Sequence, residues 1–350
     1  MYKLFGLDIS PYSLKVKSYL KFKKLKFKWI TNPNSKELQK HAKLSIIPLL
    51  LINENESLQD STKIIETIEA VHPLQSIYPE DSRLIFIAAL IEEYADEWCS
   101  KLLYHYRWSY EADRNLSSKR LAALNIPIHI KYLPIISSLA LEDKANKIKQ
   151  RQISKLSAFG SSDDNKEQIE TSFKRLIDLL ENHLSKFSYL FGGRPSIADF
   201  GLWGQLYGCW IDITARNFIN QRPNLVNWLK RMENPKIEGD FVGWSDVHLT
   251  IEPILEKEIA NLFLPWTNAN HEALNNNKKA FSINLDNRLF TQKTQNNHSK
   301  SFKELRLKYN EFPVKESIKP ILSNCFNQNT LKETNNFKLL ISDYSELEGL

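Results

Sequence analysis

Hydrophobic and polar positions follow one rhythm up to about residue 80 and another beyond it. Tyr2 to Leu7 reads as a short strand, Ser10 to Lys23 as an amphipathic helix and Phe27 to Ile30 as a second strand, a βαβ opening. A polar helical stretch over Ser35 to Lys43 follows, then the apolar run Ile46 to Ile52 with Pro48 inside it, a turn over Asn53 to Glu56 and a helix from Asp60. Together they predict a small α/β domain over residues 1–79. From Asp81 the period is helical. Residues 81–113 are rich in aromatics, 165–187 carry Ile169, Phe173, Leu176, Ile177, Leu180 and Leu184 on one stripe, and 196–212 is almost wholly apolar. An all-α domain over 81–265 is expected, with 196–212 as its buried helix.

After residue 265 the chain turns to asparagine and lysine, as in Asn275 to Lys279 and Asn335-Asn336. Residues 281–292 alternate as a hairpin turning at Asp286-Asn287, and Ser299 to Tyr309 suits a helix carrying Phe302 and Leu305. Residues 266–350 therefore read as an appended, partly ordered α+β extension, and no internal repeat is visible.

At 42% apolar and 25% charged, the 350-residue chain excludes fibrous and wholly disordered classes. Cys99, Cys209 and Cys325 stand far apart, with no paired thiol spacing for a disulfide framework or a zinc site, which predicts a reducing, cytoplasmic setting. Neither a secretion signal nor a membrane span is expected. Residues 1–30 hold eight lysines and one aspartate, a local +7 in a chain of +6. The run Lys21 to Lys28 lacks arginine and a Gly-rich loop, so it reads as a solvated face that concentrates small anions, and no nucleic-acid partner is expected.

Three motifs could carry chemistry. Ser10-Pro11-Tyr12-Ser13 stands between the first strand and the first helix, where free N–H groups and the helix dipole favour negative charge. It has the form Cys-Pro-Tyr-Cys with serine in both cysteine places, so thiol exchange by the chain itself is excluded there. Ser10 is either a plain N-cap or a hydroxyl that donates to a foreign thiolate. Pro48 inside a strand-like run is either a cis bend that frees the Ile47 backbone for an extended peptide, or a trans residue opening an edge strand. Asp60-Ser61 opens a helix, as an N-cap or as a site for an α-amino acid end group. Glu92, Glu93, Asp96 and Glu97 have no histidine three residues further along and read as a solvated face, so no metal is expected. His41, His72, His129, His183, His248, His271 and His298 show neither an i, i+4 pairing with a catalytic glutamate nor a triad order.

The order of strand, Ser10-Pro-Tyr-Ser13, lone Pro48, Asp60-Ser61 and then Gly192-Gly-Arg-Pro-Ser196-Ile-Ala-Asp199-Phe resembles the glutathione transferases. Ser196-x-x-Asp199 reads as a capping box at the start of the buried helix, and Arg222 to Met232 looks like a later helix of the family; the resemblance covers about 1–240. It implies a thioredoxin-like N-terminal domain, an all-helical second domain and a serine-type transferase that joins glutathione, its co-substrate, to a hydrophobic or aromatic electrophile. Ser10 would hold the sulfur, Ile47 and Pro48 the cysteinyl backbone, Asp60 and Ser61 the γ-glutamyl end, with Tyr12 and Lys43 beside them. The electrophile pocket would take Trp98, Tyr104, His105, Arg107 and Trp108, although a helix of this kind must bury a stripe and most of these aromatics read as core. A homodimer is implied as well. Asp60 is one carbon shorter than the family's usual glutamate, and Ser45-Ile46 stands where the family often has a basic or polar side chain. The rival reading is a non-catalytic, transferase-like interaction module acting through its extension.

Overall fold

The computed structural model describes residues 1–32, 35–124 and 134–311; His129, Cys325, Asn335-Asn336 and the rest of the predicted extension beyond residue 311 lie outside the described residues. The first elements are β1 (Tyr2–Phe5), α1 (Pro11–Phe22), β2 (Phe27–Ile30), α2 (Lys36–His41), β3 (Leu49–Asn53), β4 (Glu56–Gln59) and α3 (Ser61–Val71). Then come α4 (Ser82–Tyr94), a π-helical turn over Ala95–Cys99, α5 (Ser100–Ser109), α6 (Glu111–Leu124), α7 (Pro134–Ile153), α8 (Lys166–Leu184), α9 (Ile197–Trp210), α10 (Ile213–Ile219) and α11 (Pro223–Met232). Beyond these lie α12 (Trp244–Ile254), a second π-helical turn (Leu255–Phe263), α13 (Leu264–Asn275), β5 (Ala280–Leu285), β6 (Arg288–Lys293) and α14 (Asn296–Glu311). None of the described helices is long and apolar enough to cross a membrane.

Packing groups the described residues into two compact units, one within Met1–Ile77, Leu103–Leu156 and Phe200–Lys236, the other within Tyr78–Leu102, Ser157–Asp199 and the described chain from Ile237. The first unit holds a four-stranded sheet in the order β2-β1-β3-β4, with β1 parallel to β2 and antiparallel to β3, and β3 antiparallel to β4. Leu4 and Phe5 are successive and both buried, so this strand is covered on both faces. Phe5, Leu38, Leu49 and Leu51 form one core beneath it, with Ile30, Ala42 and Ile47 against them. Helix α1 buries Leu14, Val16, Tyr19 and Leu20. The predicted elements of residues 1–79 thus occur in order, as a small mixed sheet with helices.

Lys23 corrects the solvated reading of the basic run. Its ammonium is buried against Glu69 at 3.0 Å and donates to the Leu74 carbonyl at 2.6 Å, while the Tyr19 hydroxyl donates to the same carboxylate at 2.7 Å. Lys24, Lys26 and Lys28 are exposed as expected.

In the second unit, α8 buries the six predicted stripe residues, and the β5–β6 hairpin turns at Asp286 and Asn287, both in the left-handed region that a two-residue hairpin turn demands. Residues 81–113 are not one run of α-helix: the π turn at Ala95–Cys99 adds a residue to the helical path, and Tyr110 separates α5 from α6. Asp199 accepts from the Ser196 N–H at 2.9 Å and the Ser196 hydroxyl at 2.8 Å, and its other oxygen takes the Leu190 N–H at 3.0 Å. The capping carboxylate therefore also ties down the chain before the helix.

Candidate active site

Ser10 closes the loop between β1 and α1. Its N–H donates to the Leu7 carbonyl at 3.0 Å, its backbone is extended (φ −90°, ψ 117°), and its Oγ accepts from the Ser13 N–H at 3.3 Å as the N-cap of α1, with Pro11 in the first turn. The half-buried hydroxyl keeps its own proton undonated among the described residues. Ser13, in the second cysteine-like place, is fully buried, and its hydroxyl has no partner among the described residues.

Two contacts within the same unit fix this loop from behind. Arg107 donates from Nη1 to the Ile9 carbonyl at 2.8 Å, from Nε to Asp212 at 2.7 Å and from Nη2 to the Gly208 carbonyl at 3.0 Å. Burial raises the Asp212 pKa and Arg107 pulls it back. Gly204 of α9 passes so close to the helix start that an added Cβ would stand 2.6 Å from the Pro11 carbonyl oxygen.

The Ile47–Pro48 peptide is cis. Pro48 is buried and Ile47 half-buried, and the Ile47 N–H and C=O make no hydrogen bond among the described residues. The loop before them is clamped by Gln59, whose Oε1 accepts from the N–H groups of Lys43 and Leu44 at 2.8 and 3.0 Å and whose Nε2 donates to the carbonyls of Leu44 and Ile46 at 2.8 and 2.9 Å. Lys43 itself is exposed and Tyr12 half-buried. Asp60 holds φ at +77°, a conformation that burdens a residue with a Cβ by about 1–2 kcal/mol. Its carboxylate accepts from the N–H groups of Thr62 and Lys63 at 3.0 and 3.1 Å, and Ser61 is buried beside it.

Lys15 escaped the sequence reading. It is buried, and its ammonium donates to the Thr62 hydroxyl at 3.1 Å, placing a positive charge at the first turn of α3, next to Asp60-Ser61. The available signal was a lysine between Leu14 and Val16 on the apolar face of α1.

The residues expected around an electrophile are largely packing groups. In the first unit His105 is buried against Tyr106 and Tyr110, Trp108 is buried, and Arg107 is spent on Ile9, Gly208 and Asp212. Tyr104 is half-buried and bonds to Gln152 at 2.7 Å, its pKa raised by burial. In the second unit Trp98 is fully buried and donates to Ser172 at 2.9 Å. An apolar helix face in need of burial explains the set. The cavity that does adjoin the Ser10 loop encloses about 410 Å³ within the first unit, lined by Asp8, Ile9, Leu14, Lys17, Trp203 and Tyr207 among others, with Lys21 and Arg120 at its side.

Residues 4–76 match the family model for the N-terminal domain of glutathione S-transferase, and residues 163–231 that for its C-terminal domain. Among curated proteins none matches this sequence. A glutathione S-transferase of Methylobacterium radiotolerans, solved with glutathione sulfonate, is 18% identical, with 67% of this chain and 91% of that one covered and a TM-score of 0.42. A β-etherase of a Sphingobium species is 19% identical over 72% and 98% of the two chains (TM-score 0.43), and a glutathione S-transferase of Methylobacillus flagellatus with glutathione bound is 18% identical over 66% and 93% (TM-score 0.39). Residues 4–76 and 163–231 thus match the N-terminal and C-terminal domains of glutathione S-transferases in that order, and the chain extends beyond residue 231.

Proposed function

We propose that the protein binds glutathione on residues 1–79 and transfers its sulfur to a small electrophile, with Ser10 as the catalytic residue. The observation that carries this is the Ser10 hydroxyl: it sits at the N-terminal end of α1, half-buried, with its proton available and its backbone fixed through Ile9 by Arg107. A thiol titrates near ~8.5, and lowering it by about two units, at ~1.4 kcal/mol each, makes thiolate the main form at neutral pH. A donated hydrogen bond and the N-terminal dipole of α1 both act in that direction. The thiol proton leaves to solvent, the sulfur lone pair forms the new bond to carbon, and the electrophile's leaving group departs with its electron pair.

In this reading Ile47 and Pro48 offer free backbone to the cysteinyl residue, Asp60 takes the γ-glutamyl ammonium, and Ser61 with the start of α3 takes its carboxylate, helped by the charge of Lys15. Tyr12 and Lys43 line the rim. The electrophile occupies the cavity beside Asp8 and Ile9, where Trp203 and Tyr207 suit an aromatic body and the lysines an anionic substituent. The active form is a cytoplasmic homodimer. Calorimetry with glutathione and turnover with an aromatic halide test the proposal. Micromolar to low-millimolar binding, with turnover reduced at least ~100-fold in Ser10→Ala, is expected; unchanged turnover, or none in the native protein, refutes it. The burial of Trp98, His105 and Trp108 favours the second reading, an interaction module without catalysis, which absent glutathione binding would select.

A further inference from the structure

We propose that Glu93, Glu97 and His298 bind a divalent first-row transition cation, which clasps the extension helix α14 to the end of α4 and its π turn. All three residues belong to the second unit. Their ligand atoms lie within 4.8 Å of one another, with His298 Nδ1 3.2 Å from Glu97 Oε2 and 3.8 Å from Glu93 Oε1. Ligands at about 2.0–2.1 Å from a tetrahedral zinc ion stand about 3.3 Å apart, so small side-chain adjustments complete the site. The expectation of no metal here looked only along the acidic helix; the histidine arrives from the extension.

The histidine points to a ligand independently of the carboxylates. His298 is 1% exposed, and its Nδ1, 3.2 Å from Glu97 Oε2, does not meet hydrogen-bond geometry with either carboxylate. Its Nε2 lies 3.0 Å from the Thr267 hydroxyl. With a cation bound, Nε2 would donate to that oxygen and leave the Nδ1 lone pair for the metal. Two carboxylates and an imidazole nitrogen converging in a largely buried place favour a positive charge among them.

The supporting groups are also in place. Ser301 donates to Glu93 Oε1 at 2.6 Å, and the imidazole packs against Trp266 at 4.4 Å and Phe302 at 6.3 Å, as an orienting shell does. The nearby cation Lys101 is stacked 3.8 Å above the Trp266 ring and acts on Glu97 through its field, with no close ion pair to either carboxylate among the described residues. Glu97 keeps 26% of its side chain exposed, which gives an ion a way in. One histidine and two carboxylates suit Zn²⁺, Mn²⁺ or Fe²⁺ better than Ca²⁺, which asks for more oxygen ligands.

The test uses the full chain, stripped with a chelator and titrated with Zn²⁺ by calorimetry and with Co²⁺ by visible absorption, whose band intensities report tetrahedral coordination. One Zn²⁺ per chain, a raised melting temperature, and at least ~10-fold weaker binding in both Glu97→Gln and His298→Gln are expected. Glu97 is the partly exposed member, so Glu97→Gln decides the matter if His298→Gln does not fold. No binding by the native chain, or binding that Glu97→Gln leaves unchanged, overturns the proposal. Neither readout involves glutathione.

Discussion

Ser10 and His298 are both polar residues at the beginning of a helix, and they differ in where their partners come from. Ser10 is satisfied by the N–H three residues further on and leaves its hydroxyl half in solvent. His298 is buried, and the groups it faces belong to a helix in another part of the chain. The first arrangement is local, shallow and worth about 1 kcal/mol of stability; a binding function can be laid on it at little structural expense. The second commits charged groups to a low-dielectric interior, where losing one partner leaves the other stranded. Substitutions at caps should therefore change binding more than stability, and substitutions in buried long-range pairs the reverse.

The largest effect is expected at the buried pair of the first unit. Glu69→Ala strands the Lys23 ammonium and the Tyr19 hydroxyl and should lower the unfolding free energy by about 3–5 kcal/mol in chemical denaturation; a loss under 1 kcal/mol would remove the distinction between buried pairs and caps.

Next come two buried groups of the second unit with opposed pH dependence. Burial holds His183 down to about 4, beside the Thr250 hydroxyl at 2.8 Å. The unfolded chain binds the extra proton between about 6.5 and 4, so this contribution is complete above pH 6.5 and is lost as the pH falls through 4. Burial pushes Glu258 up to about 7 in spite of Arg175 at 2.5 Å. Here the folded chain binds the extra proton, so the contribution is complete below about 4.5 and disappears as the pH rises through 7. Each amounts to about 3 kcal/mol at most. Between pH 4.5 and 6.5 they oppose one another, and Glu258→Gln should unmask a steeper rise of melting temperature with pH across that window.

Gly204→Ala forces a methyl against the Pro11 carbonyl and is expected to cost about 1–3 kcal/mol while displacing the Ser10 loop, so that turnover falls along with stability. The smallest change in stability belongs to Asp60→Gly. Relief of the +77° φ roughly offsets the lost cap, leaving stability within about 1 kcal/mol of the native chain. Glutathione binding should nevertheless weaken, measured by calorimetry.

These same residues explain how far the sequence could be read. The helix opening after Ser10, the apolar helix over 197–210 and the Asp286-Asn287 turn are set by neighbours within a few positions, and each occurs where the pattern put it. Lys15 and Lys23 look like ordinary surface cations in sequence and Arg107 like a pocket cation, because Thr62, Glu69 and Asp212 come within reach only after the sheet and helices have packed. The acidic stretch around Glu93 was legible as acidic but not as a site, since its imidazole comes from α14. For the candidate active site the motif order was readable; on the aromatic helix the sequence showed that most rings must be buried but not which of them packing would claim.

The most direct measurement is the ultraviolet absorbance of protein-bound glutathione thiolate as a function of pH, in the native chain and in Ser10→Ala. A midpoint about two units below the free thiol's ~8.5, returning most of the way in the variant, is the predicted result. A midpoint equal in the two proteins, or unshifted in the native one, would contradict the role assigned to the Ser10 hydroxyl.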